Sequence, residues 1–333
     1  MAALFLSIVL ALAVSLRRSP ATGPAFDEFE RHPANPVIGV VKGGLEAGWL
    51  HPYSVLPVID GFLMWYGAAP VPNVPLVVNL ASSKDGVTWT RYPGNPIVSP
   101  RREAWDSGRI EHWTVVLEEA QRRFVALYAA ETRFDRRWRI GVAQSDDGKR
   151  WDRSDAPVLD YGPEGSWDSA FIVPAAVLRR GGEYWLYYWG GSGADDLTTW
   201  SVGVATSEDL MTWTRHAKNP VFRGRPGSWE AGILDVEVVE LPDGLFMIYQ
   251  GNDDSGTRSK LGLARSQDGV SWVRVGTAPF FENGEPGAWD DRWAEGPVLI
   301  RDRDLWRMYY MGSDGVTAMQ IGLATARPRR LLW

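Results

Sequence analysis

One short pattern recurs along this chain at a nearly constant interval, and it constrains the fold more than any other feature. In each copy a Trp or Leu precedes a carboxylate, and a run of β-forming residues follows. The copies lie about 60 residues apart, and self-similarity at such a period is typical of repeat architectures. They begin at Leu45-Glu46, Trp105-Asp106, Trp167-Asp168, Trp229-Glu230 and Trp289-Asp290. The chain therefore contains five variants of one structural unit.

Each unit contains four segments with the pattern of β-strands. An inner segment follows the carboxylate, a second segment ends in a Tyr, and a third contains Gly between apolar residues. In most segments apolar residues alternate with polar residues or Gly, and Asp-Gly pairs at 85–86, 147–148 and 268–269 are strong hairpin signals. Four strands in each of five units predict an all-β fold, a five-bladed β-propeller.

The ends of the chain complement each other. The fifth unit stops at Ala324-Thr325-Ala326 without the outer Trp-x-Arg…Asn-Pro strand of other units. A copy of that strand, residues 29–38, stands alone before the first unit and matches residues 89–98 nearly position for position. We therefore predict that the N-terminal strand closes the last blade, which leaves few open edges. The predicted domain organisation is a single propeller over residues 26–333.

The first residues indicate a cellular location. Residues 2–16 are almost wholly apolar, and Arg17-Arg18 follow them. Such a run is short for a transmembrane helix and resembles the apolar core of a signal peptide. The basic pair after the run opposes export under the positive-inside rule. We predict that residues 1–25 form a signal peptide or membrane anchor with a linker, and that the protein is secreted or membrane-anchored through residues 2–16.

Composition excludes several kinds of partner. A net charge of -6 and a pI near 5.4 provide no basic footprint for nucleic acid. The chain has no cysteine, which excludes disulfides and thiolate metal sites. The repeat accounts for only some of the 18 Trp residues, and the others are candidates for a surface that faces a sugar or another ligand. We expect a monomer that binds a carbohydrate.

Positions that break the repeat are the candidates for function. The carboxylate after the aromatic is of the same type in all five units, so we expect it to hold the blade together by capping backbone N–H groups or binding an Arg. Five positions further on, the aligned residues are His51, Glu111, Val173, Asp235 and Glu295. The next positions are Pro52, His112, Pro174, Val236 and Gly296. Ionisable groups that converge on one axis are unfavourable in strands, so we expect them to serve a ligand at the funnel mouth.

From about residue 29 to residue 328, the chain resembles the five-bladed glycosidases of the arabinanase–levansucrase–invertase superfamily. This group includes glycoside hydrolase family 43 and the mannoside phosphorylases of family 130. The likeness lies in the Trp-carboxylate inner strands, the Tyr-x-Gly second strands, the Asp-Gly hairpins and the Asn-Pro-Val segments. It implies paired carboxyl groups in the funnel, one protonating the leaving oxygen while the other activates water or attacks the sugar. Family 43 has carboxylates in its first three blades, whereas this chain has His51, Glu111 and Val173.

On this basis we predict Asp235 and Glu295 as the catalytic pair, with Glu111 as a modulator or alternative partner. Two Trp side chains are candidates to stack on a sugar ring, and Asp168 replaces the missing third-blade acid if its loop turns inward. Phosphate, if it were the acceptor, would meet Arg109, His112 and Arg292. The predicted substrate-binding residues are His51, His112, Arg109, Trp293, Trp49, Glu131, Asp168 and Arg292.

The leading hypothesis is a glycoside hydrolase that uses paired carboxylates. A non-catalytic propeller that binds a glycan or protein and a glycoside phosphorylase are the alternatives. The residues themselves predict no metal ligand and no cofactor. Some family 43 relatives imply a central calcium ion, for which His51 would be a ligand or a water-mediated neighbour.

Overall fold

The computed structural model describes residues 28–71, 76–118, 121–135, 137–193 and 195–328. The predicted signal peptide or anchor, residues 1–25, lies outside the described residues. Within those ranges, regular structure is almost entirely β-strand, with a single 3₁₀ turn at Leu197–Thr199. No helix of the described chain is both long enough and apolar enough to cross a membrane.

The strands follow the order that the repeat predicts. A short N-terminal strand, β1, spans Glu30–Arg31. Blade one comprises β2 (Trp49–Val58), β3 (Gly61–Ala69), β4 (Val77–Ser83) and β5 (Thr90–Arg91). Blade two comprises β6 (Ile110–Glu118), β7 (Arg123–Ala130), β8 (Arg139–Ser145) and β9 (Asp152–Arg153). Blade three comprises β10 (Phe171–Arg180), β11 (Glu183–Gly191), β12 (Ser201–Ser207), β13 (Thr214–Arg215) and β14 (Phe222–Arg223).

The last two blades complete the ring. Blade four comprises β15 (Gly232–Leu241), β16 (Gly244–Asn252), β17 (Ser259–Ser266) and β18 (Val273–Arg274). Blade five comprises β19 (Trp293–Asp302), β20 (Leu305–Ser313) and β21 (Gln320–Ala326), together with β1. Consecutive strands within each blade are antiparallel, and the inner strand of each blade lines the central axis. The all-β, five-bladed prediction is confirmed.

The N-terminal strand closes the fifth blade. In β1, Glu30 pairs with Thr325 and Arg31 with Ala324, both in β21. A further bridge joins Ile38 to Ile321. The outer strand missing from the end of the chain is therefore supplied by its beginning, as predicted.

The repeated carboxylate has the same structural role in every blade. It lies in the interior, where it accepts a hydrogen bond from the second-strand Tyr. It also forms an ion pair with the Arg of the outer strand. The five sets are Tyr66-Glu46-Arg91, Tyr128-Asp106-Arg153, Tyr188-Asp168-Arg215, Tyr249-Glu230-Arg274 and Tyr310-Asp290-Arg31. A buried charge requires such partners, so the faithful part of the repeat is scaffold. In blade five the Arg comes from β1, which ties the closure to the same network.

In blades one to four the Asp hairpin joins the third and fourth strands, at the end of the blade opposite the loop between the second and third strands, and acts as a turn. Asp85 Oδ1 accepts hydrogen bonds from the backbone N–H groups of Val87 and Thr88 at 2.8 and 2.7 Å. Asp147, Asp209 and Asp268 have equivalent bonds in blades two to four. The side chain satisfies donors that the turn leaves free, which explains the repetition without any ligand.

Candidate active site

The inner strand of each blade has a β-bulge at the same place. Two consecutive residues lie opposite the second-strand Tyr instead of one, so the strand bends and its side chains are redirected. The two-residue sets are Pro52-Tyr53, His112-Trp113, Pro174-Ala175, Asp235-Val236 and Gly296-Pro297. The bulge therefore defines which positions are equivalent around the axis.

This register corrects one sequence alignment. Asp235 is the first bulge residue of blade four, so its counterpart in blade two is His112, whereas Leu234 is the counterpart of Glu111. Blade four has one residue fewer than the other blades between its repeated carboxylate and its bulge. A fixed count from the carboxylate therefore placed Asp235 one position out of register.

The bulges bring His51, His112 and Asp235 together on the axis. Nε2 of His112 lies 2.7 Å from Oδ1 of Asp235, and Nε2 of His51 lies 3.4 Å from Oδ2. One ligand-type atom from each residue lies within 4.8 Å of the other two. His51 and Asp235 are 5% and 8% exposed, so this polar cluster is almost completely removed from solvent.

Neighbouring residues hold the two imidazoles in place. The Tyr53 ring lies 5.2 Å from the His51 ring and stacks on His112 at 5.5 Å. A Cβ on Gly296 would lie 2.4 Å from His51, so only Gly leaves room for this ring. His112 has a φ of 51°, a left-handed conformation that is costly for a residue with a Cβ.

The cluster has one dominant ion pair. Burial by itself would lower the pKa of His112, but the charge and hydrogen bond of Asp235 raise it overall. Burial opposes ionisation of Asp235, yet the two imidazoles, His112 above all, hold the pKa of its carboxyl well below its usual range. For His51, burial dominates and lowers the pKa despite the contact with Asp235.

Two further carboxyl groups occupy the position just before the bulge, Glu111 in blade two and Glu295 in blade five. Burial raises the pKa of Glu295 to about 7, and the charge of Asp235 acts in the same direction. The Ser259 hydroxyl lies beside Glu295 but outside strict hydrogen-bond geometry. Burial also raises the pKa of Glu111, although His112 and Arg109 oppose this.

A cavity of about 610 Å³ opens beside the axis between blades two and three. Glu111 and Arg109 form part of its wall, and several Trp side chains form much of the remainder. This volume is within the range of small-molecule sites. The aromatic residues of the wall are Trp49, Trp138, Phe171, Trp189 and Trp200.

Several predicted binding residues contribute to this mouth. Trp49 is in the cavity wall, and its indole N–H points to the sulfur of Met311 at 3.0 Å. Arg109 donates to Glu131 at 3.1 Å and lies 3.8 Å from Glu111. Arg109 also lies over the Trp138 ring at 4.8 Å. Glu131 is therefore buried behind Arg109, where it orients the guanidinium.

Three predicted binding residues lie elsewhere. Asp168 is 2% exposed and bonded to Tyr188 and Arg215, so its loop does not turn inward and it belongs to the scaffold, contrary to expectation. Arg292 is exposed against the Gly315 turn and is not part of the wall of the mouth cavity. Trp293 donates to the Thr257 carbonyl at 3.2 Å, between blades four and five.

Sequence reasoning missed four residues of the site. Sequence reasoning missed Tyr53 because only the bulge brings it toward the axis. It missed Gln250 because the sole signal was a polar residue directly after a second-strand Tyr. Gln250 Oε1 accepts a bond from the Gly296 N–H at 3.3 Å. Glu237 lines a small cavity on the axis that His51, His112 and Asp235 also line, and burial raises the pKa of Glu237 to about 8. Trp189 follows Tyr188 directly, and the excess of Trp was its only signal.

The donor set does not fit the calcium ion that the sequence resemblance implied. Calcium takes six to eight oxygen ligands. At the axis the cluster offers two imidazole nitrogens and a single carboxylate. We therefore derive no role for calcium.

Comparison with known families decides between the two that the sequence resembles. A family model described as β-1,4-mannooligosaccharide phosphorylase, glycoside hydrolase family 130, matches residues 112–295, which is more than half of the chain. The chain belongs to glycoside hydrolase family 130. Family 130 consists of carbohydrate-active enzymes that act on glycosidic bonds. The match begins at His112 and ends at Glu295, so it includes His112 and Asp235 of the axial cluster.

Curated relatives cover a smaller part. Two proteins of Mycobacterium tuberculosis, both uncharacterized, are 33% identical over 126 residues, which is 38% of this chain and 39% of each relative. The match thus spans about two fifths of the length of these relatives.

Solved structures share the fold over nearly the whole chain. A family 130 structure, from a set of glycoside hydrolases that target β-1,2-mannosidic linkages in Candida mannan, has a TM-score of 0.71 and 20% identity and covers 91% of this chain and 95% of its own. A glycosyl hydrolase from Bacteroides ovatus has a TM-score of 0.72 at 20% identity, covering 92% and 95%. An N-acetylgalactosamine deacetylase from F. plautii has a TM-score of 0.68 at 17% identity, covering 89% and 95%. At these identities the likeness concerns the fold.

Proposed function

We propose that this family 130 protein is a glycoside hydrolase, with Glu295 as the general acid and Glu111 as the partner carboxylate. The observation that carries the proposal is their placement. Both occupy the position before the bulge on inner strands around one axis, and Glu111 lines the large mouth cavity. Glycoside cleavage requires two carboxyl groups that flank one bond.

The environment of Glu295 supports its role as the acid. A general acid must retain its proton near the working pH and release it to the leaving oxygen. Burial keeps the pKa of Glu295 about 7, and no ion pair with a basic side chain stabilises its charged form within the described residues. This carboxyl can therefore hold and release a proton close to neutrality.

The proposal moves Asp235 away from the catalytic pair predicted from the sequence. Both Asp235 oxygens face imidazole nitrogens, and the pKa of this carboxyl is held below its usual range. A carboxylate so engaged is a weak base and has no free oxygen for attack on a sugar. Asp235 would instead order the two histidines and place a negative charge near Glu295.

Charge pairing favours water over phosphate as the acceptor. Arg109 is neutralised by Glu131 and Glu111, and His112 by Asp235. Arg292, the third member of the predicted phosphate cluster, does not line the mouth cavity. A phosphate dianion would have to compete with these carboxylates for its cations. Phosphorolysis remains the second candidate because the matching family model describes a phosphorylase.

Mannose-containing oligosaccharides are the proposed substrate class. The family model describes a mannooligosaccharide enzyme, and one structural neighbour belongs to hydrolases of mannosidic linkages. The mouth cavity has aromatic faces beside charged groups, a lining that can stack on a sugar ring and bind its hydroxyls.

Hydrolysis of a panel of β-mannosides and manno-oligosaccharides, with and without phosphate, tests this proposal. We expect phosphate-independent release of free sugar, with no sugar 1-phosphate. Glu295→Gln and Glu111→Gln should each lower kcat by about 10²–10⁴-fold, as loss of acid–base catalysis does. Glu285→Gln, an exposed surface substitution, is the matched control and should retain full activity.

Two results would contradict the proposal. Strict dependence on phosphate with formation of a sugar 1-phosphate would establish phosphorolysis. Unchanged glycan binding in both Gln variants, together with no turnover of any glycoside by the unmodified protein, would instead support a binding propeller.

A further inference from the structure

A small cavity lies on the propeller axis, directly against the two histidines. Its volume is about 20 Å³, and His51, His112 and Asp235 all form part of its wall. Such a volume holds one water-sized particle, since about 10–15 Å³ is enough for a water molecule. The cavity and the three side chains thus define a site for one small species.

We propose that His51, His112 and Asp235 bind a single divalent transition-metal ion, with Zn²⁺ as the best match. This inference goes beyond the proposed hydrolase function and does not depend on it. Each residue offers one ligand atom, and these atoms lie within 4.8 Å of one another.

The separations fit an ion between the three groups. The imidazole nitrogens lie 2.7 and 3.4 Å from the two carboxylate oxygens. Ligand atoms about 2.0–2.1 Å from zinc are roughly 3.3 Å apart in a tetrahedral site. The three ligand atoms lie within 4.8 Å of one another, so side-chain movements on the order of 1 Å would bring them to such distances.

The donor types select the kind of ion. Two imidazoles and one carboxylate suit zinc and its first-row neighbours, whereas calcium and magnesium prefer oxygen alone. Three protein ligands also leave a coordination position for water, as zinc sites with an open position do.

The surroundings leave the imidazoles ready to coordinate. Neither Nδ1 atom has a hydrogen-bond partner in the part of the chain that the structure describes. Asp235 holds a proton on each Nε2 in the metal-free protein, and because Nδ1 has no partner each ring can carry its proton there once an ion takes the Nε2 lone pair. Tyr53 packs on both rings, so their positions do not depend on the ion.

The alternative is a simple ion pair of Asp235 with His112. One carboxylate and one imidazole would complete that pair, but His51 also directs its Nε2 to the same carboxylate from another blade. Gly296 has no Cβ, and this leaves the space that the His51 ring occupies. Convergence of two buried histidines on one carboxylate distinguishes a ligand set from a single pair.

The missing Nδ1 partners also predict the strength of binding. Outer-shell partners of metal-binding histidines contribute about 10–100-fold to affinity. We therefore expect weaker zinc binding than at sites where both imidazoles are supported.

The full-length protein, stripped with a chelator, is titrated with Zn²⁺ by calorimetry and with Co²⁺ by visible absorption. We expect one ion per chain and d–d absorption bands in the Co²⁺ form. Proton NMR of the Co²⁺ form should show two hyperfine-shifted, exchangeable imidazole N–H signals, from Nδ1 of His51 and His112. This measurement needs no variant, so it stands even if a substitution prevents folding.

Variants then locate the site. Loss of an outer-shell partner weakens metal binding by about 10–100-fold. Because His51→Gln and Asp235→Asn each remove a direct ligand, they should weaken Zn²⁺ binding by more than this. The matched control removes the other two of the four histidines, His32 and His216, which lie in outer turns and bond to local backbone. That double variant should bind Zn²⁺ like the unmodified chain.

Three results would overturn the proposal. They are the absence of stoichiometric Zn²⁺ and Co²⁺ binding, affinity unchanged in His51→Gln and Asp235→Asn, and a Co²⁺ form without shifted imidazole signals. None of these bears on sugar hydrolysis, so failure of the metal site and failure of the hydrolase proposal are distinguishable.

Discussion

Glu295→Gln should stabilise the fold in a pH-dependent way. Burial raises the pKa of Glu295 from its ordinary value of 4.5 to about 7 in the folded protein. Between these values the unfolded chain loses the proton while the folded chain keeps it, so the wild type loses stability as pH rises. One pKa unit corresponds to about 1.4 kcal/mol, and the shift therefore costs on the order of 3 kcal/mol above neutral pH. Gln remains neutral and avoids this cost.

Urea unfolding followed by Trp fluorescence at pH 4.5 and pH 8 measures the effect. At the lower pH the variant and the wild type should differ by only about 0.4 kcal/mol, because Glu295 is protonated in the folded state and about half protonated in the unfolded state. At pH 8 the variant should be more stable by about 2–3 kcal/mol. The exposed control Glu285→Gln should show no such divergence. A difference at pH 8 below about 0.5 kcal/mol, the range of ordinary surface substitutions, would refute the argument that Glu295 is buried and uncompensated.

The remaining predictions concern closure, the axial cluster, the mouth and the pH profile. Arg31→Met removes the partner of the fully buried Asp290 and should destabilise the protein by about 3 kcal/mol in urea unfolding; a loss under about 1 kcal/mol would mean that the closure does not depend on this pair. Gly296→Ala should displace His51 and lower thermal stability, whereas Gly287→Ala, which has a similar positive φ and open space around it, should cost less; equal losses would exclude the contact with His51 as the cause. Trp138→Ala should raise KM about tenfold with little change in kcat, since it removes uniform binding, and exposed Phe134→Ala is its control; a fall in kcat alone would contradict this role. The wild-type kcat/KM should decline as pH rises through about 7, where Glu295 loses its proton, and a flat profile to pH 9 would exclude Glu295 as the acid.

Much of the candidate site was predictable because it lies where the repeat fails. His51, Glu111, His112, Asp235 and Glu295 all gather around the axis, as the sequence analysis expected of ionisable residues at the head of inner strands. Their separate roles were not predictable, because a role depends on which atoms meet. Asp235 illustrates this, since its engagement by two imidazoles appears only when blades one, two and four are assembled.

Asp168 failed as a binding residue for a related reason. A local pattern cannot reveal whether a loop turns inward or outward, because that choice depends on partners distant in the sequence. In the folded chain Asp168 bonds to Tyr188 and to Arg215, which is 47 residues away. The same carboxylate in the other four blades has the same partners, so its repetition was the better guide.

The sequence alone determined the architecture: five units, four strands in each, and closure by the N-terminal strand. Periodicity, turn residues and the additional N-terminal strand are local signals, and the first two recur in each repeated unit. Only the tertiary structure decided the chemistry of the axis. Blade four has one residue fewer before its bulge, so Asp235 occupies the position equivalent to His112 and not the position equivalent to Glu111. Burial then decides which carboxyl groups hold a proton, and burial depends on neighbours that the folded ring alone brings into contact.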